Sequence, residues 1–295
     1  MFRVRRLLAP FVLCIALLFS EAQAFTIAWL SDTQNYHNAY KPIFDGMTQW
    51  IADNREALDI RFVFHTGDVV GRWSSEDQWR QARESMGILS SASIPFLTVC
   101  GNHDIGYRMN YANFLKYVLS LRPASMSQEY GDTGSRYELF SANGRDYIFM
   151  GIAFSNKGPS EDEVNWINGV LRQYSSRDAI IITHSYLKKS ASYTTQGKAI
   201  FEKIVKANPN VFLVLCGHCR DISYKNVQLD DDGDGDPDRT VCAILSNFQG
   251  SKAGGGGYMR ILDFRDSDIY IYTYSPYYDS CEYPKGKTEA TVPLP

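Results

Sequence analysis

Five short apolar runs in this 295-residue chain are each followed at once by a polar cluster. Ser31-Asp32-Thr33-Gln34 follows residues 26–30, Thr66-Gly67-Asp68 follows 61–65, and Gly101-Asn102-His103-Asp104 follows 94–100; His184 ends the run 179–183, and Gly217-His218 ends 211–216. Asp, Asn, Gln and His are the side chains that bind divalent metals through mixed oxygen and nitrogen donors. The glycines among them allow tight turns that return the chain once a ligand is placed. Taken singly, each residue has a plainer reading, because an aspartate at a strand end usually caps a turn or a helix. Five such clusters in series, each closing an apolar run, point instead to one shared metal centre.

Residues so far apart in sequence need a scaffold that gathers them. The chain alternates apolar runs with amphipathic stretches, the pattern of strands interleaved with helices. Residues 40–58 carry Ile43, Met47, Trp50, Ile51 and Leu58 at near-helical spacing. Helices are also predicted over 76–89 and 160–174, opened by the capping-box pairs Ser75 with Gln78 and Ser160 with Glu163. Shorter helices fit 110–119 and 198–207, and residues 137–140 and 147–154 form a hairpin around Asn143-Gly144. From 222 to 274 the helical period vanishes, leaving strands at 241–245, 258–264 and 269–274. In an α/β layer the strand ends open on one edge of the sheet, which is where ligands from distant clusters meet. The expected organisation is a single mixed α/β domain over residues 25–275, with 276–295 as an irregular tail.

The order D-x-Q, G-D, G-N-H-D, H, G-H resembles the calcineurin-like metallophosphoesterase superfamily across residues 26–274, with Gly101-Asn102-His103-Asp104 its most specific element. The resemblance implies a four-layer α/β/β/α sandwich of two mixed sheets flanked by helices, holding two metal ions (Mn, Fe or Zn) that share an aspartate. It makes Asp68 the bridge, gives Asp32 and Gln34 to the first ion, and gives Asn102, His184 and His218 to the second. His103 would contact phosphate and protonate the leaving group, with Asp104 orienting its ring. The implied reaction is hydrolysis of a small phosphate mono- or diester. Two divalent ions about 4 Å apart polarise phosphoryl oxygens and acidify the water that attacks phosphorus in line. An imidazole then supplies the proton that the departing alkoxide needs.

Two positions depart from the pattern. Most relatives read G-H-x-H and use the second histidine on the first metal, whereas this chain has Arg220, which offers no lone pair. Gln34 likewise stands where an imidazole is usual. The expectation is a tight second site and a weak first one, with Arg220 meeting phosphate oxygens through its planar guanidinium. In the plainer alternative Arg220 turns away to pair with Asp221 or another carboxylate, and a different side chain or water completes the first site. A metal-depleted protein that binds phosphate or nucleotide without turnover is the second functional class.

Other signals are weaker. Cys216-Gly217-His218-Cys219 is a C-x-x-C, but a redox motif should open a helix whose N-terminus lowers the thiol pKa, and residues 220–229 show no helical period. Asp230, Asp232, Asp234 and Asp238, spaced around Gly233 and Gly235, resemble a calcium-binding loop without the bidentate Glu of an EF-hand. One structural calcium ion is expected there; the alternative is a solvated acidic hairpin tip.

Arg3, Arg5 and Arg6 precede the apolar stretch 7–19 and then Ala22-Gln23-Ala24, a secretory signal pattern with cleavage expected after Ala24. Export to the periplasm or the outside follows, with no membrane association once the signal is removed. Losing three arginines and Glu21 moves the net charge from −3 to −5, which argues against general nucleic-acid binding. Cys14 leaves with the signal, and in an oxidising compartment Cys100, Cys216, Cys219, Cys242 and Cys281 should form one or two disulfides. Oligomeric state is not legible.

Overall fold

The structure, a computed structural model, describes residues 24–121, 127–131, 133–284, 286 and 288–295. Apart from Ala24, the expected signal segment lies outside the described residues. The chain opens with β1 (Phe25–Leu30), α1 (Lys41–Asp53), β2 (Ile60–His65), α2 (Glu76–Ser91) and β3 (Phe96–Thr98). Short helices α3 (Asn102–Ile105) and α4 (Ala112–Tyr117) lead to β4 (Ser127–Tyr130), β5 (Ser135–Ala142) and β6 (Arg145–Ile152). Next come α5 (Glu161–Gln173), β7 (Asp178–Thr183), α6 (Thr195–Ile200) with a π-helical turn (Phe201–Val205), and β8 (Val211–Cys216). The remainder is strand: β9 (Asp221–Leu229), β10 (Arg239–Asn247), β11 (Met259–Phe264), β12 (Asp268–Tyr274) and β13 (Ala290–Pro293).

The strands form two mixed sheets, ordered β13-β12-β11-β1-β2-β3 and β4-β5-β6-β7-β8-β10-β9. Alternation along each strand sends one set of side chains between the sheets and the other toward a helix layer. Phe25, Ile27, Trp29, Phe62 and Phe64 of the first sheet meet Tyr147, Phe149, Ile180, Ile182 and Leu215 of the second. Ala28, Leu30 and Val63 face Phe44, Met47 and Ile51 of α1 and Trp79 and Met86 of α2, while Ile181 and Val214 face Ile167 and Leu171 of α5. Burial on both faces explains why these strands read as continuous apolar runs rather than alternating ones. Each such side chain contributes about 1.5–3 kcal/mol when fully buried, and the expected four-layer α/β/β/α sandwich is the result.

Both expected capping boxes form by half. Ser75 Oγ accepts the Gln78 N–H and Ser160 Oγ the Glu163 N–H, but the Gln78 side chain accepts instead from the Arg72 N–H (2.9 Å) and Glu163 from Ser135 Oγ. Three strands were absent from the sequence reading. β9 and β13 lie at sheet edges with exposed residues at alternate positions, and β4 is an edge strand too. β13 corrects the expectation of an irregular tail: Val292 is buried and pairs with Ile269, because the free edge of β12 takes a backbone partner without requiring a long apolar run.

Candidate metal centre

The strand ends that carry the predicted ligands lie in register. Leu30 pairs with His65 and His65 with Thr98 in the first sheet; Thr183 pairs with Cys216 and Cys216 with Leu245 in the second. Just beyond those rows Asp32, Asp68 and His218 adopt φ of 52°, 54° and 69°. That left-handed region costs a residue with a Cβ about 1–2 kcal/mol, and strain of this kind gathers where function requires it. Gly101 and Gly217 serve close approach rather than turn geometry. A Cβ on Gly101 would lie 2.2 Å from Asp68 Oδ1, and one on Gly217 would lie 2.2 Å from Asp32 Oδ2.

Asp68, Asn102, His184 and His218 come together. His184 Nε2 is 3.3 Å from Asp68 Oδ2 and 3.1 Å from Asn102 Oδ1, which is 2.9 Å from His218 Nδ1. Separations near 3 Å are those of donors that sit about 2.0–2.2 Å from a common ion. His184 Nδ1 donates to the Thr66 carbonyl (2.8 Å), which leaves Nε2 to face the site. The His218 N–H donates to the Asp32 carboxylate (3.1 and 3.2 Å), which also accepts from Ser31 Oγ.

The electrostatics call for positive charge. Burial, reinforced by Asp68, lifts the Asp32 carboxyl to about 7 even though His184 opposes it. Burial alone would lower His184, but the Asp68 and Asp32 carboxylates outweigh it and raise the ring to about 9. Burial and the His184 charge push His218 down to about 4. Buried acidic groups crowd one another here, and a positive charge among them, as a divalent cation would supply, relieves that repulsion. His65, also driven down, to about 3, by burial, is a neutral brace between Thr33 Oγ1 and the Gly67 N–H.

Gln34 also reaches Asp68, whereas the Asp32 carboxylate lies against the His218 main chain and is not among the carboxylate and imidazole groups clustered at Asp68. Gln34 Nε2 donates to Asp68 Oδ2 (3.2 Å) and to Gln249 Oε1 (2.6 Å), while Gln34 Oε1 is buried with no hydrogen-bond partner among the described residues. An orphaned buried acceptor costs about 1–3 kcal/mol, and a cation would satisfy it, so the donor set fits a metal. Gln249 went unnoticed in the sequence, although the signal was there: the apolar run 241–245 ends in Ser246-Asn247-Phe248-Gln249, the same strand-then-polar pattern as the other five.

Asp104 does not orient His103. Its carboxylate accepts the Gly101 N–H (2.7 Å) and the Val70 N–H (3.0 Å), tying two ligand loops together, and burial, with help from Asp68, pushes it up to about 8. The exposed His103 ring is held instead by Nδ1 donating to the Gly71 carbonyl (3.0 Å), and its main-chain N–H donates to Asp68 Oδ1 (2.8 Å). Arg220 is exposed and stands beside Gly250; Asp221 pairs with Lys189 instead. The five described cysteines are all free, against the expected disulfides. Cys216 is buried at the end of β8 and burial pushes its thiol up to about 12, the opposite of a redox cysteine. In the β9–β10 hairpin, carboxylate oxygens of Asp230, Asp232 and Asp238 lie within 4.8 Å of one another, and Asp234 is not among them.

Residues 25–219, more than half of the chain, match the model of calcineurin-like phosphoesterases. The uncharacterized protein YvnB of Bacillus subtilis (strain 168) is 41% identical over 259 residues, 86% of this chain, and the chain spans 20% of that protein's length. Among solved structures, a dimetal phosphatase from Danio rerio superposes with a TM-score of 0.62 at 12% identity, covering 91% of this chain and 98% of that one. The purple acid phosphatase PPD1 of yellow lupin gives 0.60 at 13% identity, covering 92% of this chain and 54% of its own. GAP50, the anchor in the inner membrane complex of Plasmodium, gives 0.59 at 14% identity, covering 92% and 89%. At these identities the structural likeness speaks for the fold. The match over residues 25–219, on a sandwich whose strand ends gather the expected ligand types, shows that this chain belongs to the calcineurin-like phosphoesterase family.

Proposed function

We propose that the chain is an exported, metal-dependent hydrolase of small phosphate mono- or diesters. The observation that carries this reading is the position of Asp68 Oδ2, which lies 3.3 Å from His184 Nε2 and also accepts the Gln34 side-chain N–H at 3.2 Å. Asp32 and Gln34 would hold a first divalent ion, Asn102, His184 and His218 a second, and Asp68 both. Bound there, the ions supply Lewis acidity toward the phosphoryl oxygens and an acidified water. The chain's own residues do the rest. His103 at the rim, with Nδ1 committed to the Gly71 carbonyl, keeps Nε2 to carry a proton to the leaving group. Arg220 offers a guanidinium to the phosphate from the rim. A cavity of about 500 Å³ lined by Tyr258, Tyr278, Tyr283 and Pro284, with Lys252, begins at Gly250, the residue after Gln249, and supports a small organic leaving group.

Purified protein is expected to hydrolyse members of a panel of phosphomonoesters and diesters, to lose turnover on chelation, and to regain it with Mn, Fe or Zn. Tight phosphate or nucleotide binding with no turnover under any metal would favour the binding-protein class instead. Export rests on the basic, apolar, A-x-A pattern of residues 1–24, and Phe25, the first residue after the expected cleavage, opens β1 and is buried. No helix among the described residues is long and apolar enough to cross a membrane.

The calcium reading of the acidic tip is a separate expectation. Asp230 already accepts the Gly233 and Gly235 N–H groups, and these hold its carboxyl below the usual range. Asp231 pairs with Arg239, which leaves Asp232 and Asp238 to complete the group. A calcium ion bound there would raise the melting temperature at millimolar calcium, since a ligand of the native state alone stabilises that state. An unchanged melting curve would leave a solvated turn.

A further inference from the structure

The segment that follows β10 reaches the first metal position from a strand outside the five clusters. β10 runs parallel to β8, so its end opens on the same edge as His218. Asn247 fixes the segment: its Nδ2 donates to the His218 carbonyl (3.0 Å) and its Oδ1 accepts the Gln249 N–H (2.9 Å), while Asn35 Nδ2 donates to the Gln249 carbonyl (3.3 Å). The backbone of Gln249 is thus tied to both ligand-bearing loops, that of Gln34 and that of His218.

Its side chain completes the picture. Gln249 Oε1 and Asp68 Oδ2, at 2.6 and 3.2 Å, converge on the one Gln34 amide nitrogen, and the oxygen of that amide is buried without a partner among the described residues. A half-turn of the Gln34 amide exchanges its oxygen and nitrogen at almost no change in shape. Three oxygens would then face one another, an arrangement that is favourable only around a cation.

We propose that Gln249 Oε1 is a ligand of the first metal ion, making that position an all-oxygen site of Asp32, Gln34, Asp68 and Gln249 that selects a hard ion such as Mn²⁺ or Mg²⁺ over Zn²⁺. The inference rests on the two-ion reading above. It replaces the expectation of a weak first site: Arg220 is exposed, and Gln249, next to the Gly250 that Arg220 approaches, is the side chain that reaches Gln34. The second position, with two imidazoles, keeps the preference of nitrogen donors for zinc or iron.

The test measures metal per chain by mass spectrometry after equilibration with equimolar Mn²⁺ and Zn²⁺ and desalting, with circular dichroism to confirm folding. The unmutated protein should carry one zinc and one manganese. Gln249→Ala should weaken manganese binding by about 10- to 100-fold while zinc stays, and Gln249→His should bring a second zinc in place of manganese. Unchanged manganese affinity in Gln249→Ala would overturn the assignment, as would two zinc ions in the unmutated protein. Asp68→Ala separates this inference from the reading beneath it. If that variant still binds two ions, the two-ion reading fails; if it loses them and Gln249→Ala does not, only the role of Gln249 is lost.

Discussion

Replacing Asp68 with alanine is expected to release both metal ions together and to lower phosphoesterase turnover by about a thousandfold or more. The size of the effect follows from one carboxylate oxygen facing two donor groups, His184 Nε2 at 3.3 Å and Gln34 Nε2 at 3.2 Å. Lewis-acid stabilisation by bound ions supplies several kcal/mol in the transition state, and about 4 kcal/mol corresponds to three orders of magnitude in rate. Asp32→Ala provides the comparison, since it removes a ligand assigned to the first position, although it also frees the His218 N–H, and should leave one ion bound. Asp68→Asn refines the result, because it keeps an acceptor for the His103 N–H, now 2.8 Å from Oδ1, while removing the charge. Metal content of all three variants, measured beside turnover on the best substrate, distinguishes a shared carboxylate from an ordinary one. Loss of a single ion in Asp68→Ala, with the other held as tightly as before, would show that Asp68 serves only one position.

Much of this centre could be read from the sequence because the same physics that builds the sandwich displays its ligands. Central strands buried on both faces become apolar runs, and each run must end where the chain leaves the sheet, so a polar cluster at that point is visible without any knowledge of the fold. The clusters that hold Asp32, Gln34, Asp68, Asn102, His184 and His218 are visible by that rule, while their assignment as ligands comes from the family resemblance. Edge strands escaped it because partial exposure leaves them polar: β9 places Tyr224, Asn226 and Gln228 on its exposed side and takes its order from the backbone of β10. Gln249 escaped for a different reason. The family pattern places the remaining first-site ligand at the position of Arg220 and says nothing of residues 241–249, which show the same run and cluster as the rest. Asp104 shows the limit of a carried-over role. An acidic residue after His103 could orient the ring or brace the loops, and only the hydrogen bonds from Gly101 and Val70 decide for the second.

The correction at Asp104 shapes what is expected of His103. A proton donor acts on the leaving group, so its loss should matter in proportion to how poorly that group departs unaided. His103→Gln is expected to reduce kcat by about 10²- to 10⁴-fold on alkyl phosphoesters. On an aryl ester with an acidic phenol as leaving group it should change kcat little. Metal content should be unchanged in either case, because the exposed ring contributes no donor to the cluster and the hydrogen bond to Asp68 comes from the main-chain N–H, which the substitution keeps. Asp104→Asn separates the two roles. If Asp104 braces the Gly101 and Val70 loops rather than the ring, that variant should lower the melting temperature and weaken metal binding without altering the dependence of rate on the leaving group. A rate loss in His103→Gln that is equal for alkyl and aryl esters would instead assign His103 to binding the phosphate. The proton would then have to come from solvent, and the dependence of rate on leaving-group pKa would be as steep in the unmutated protein as in the variant.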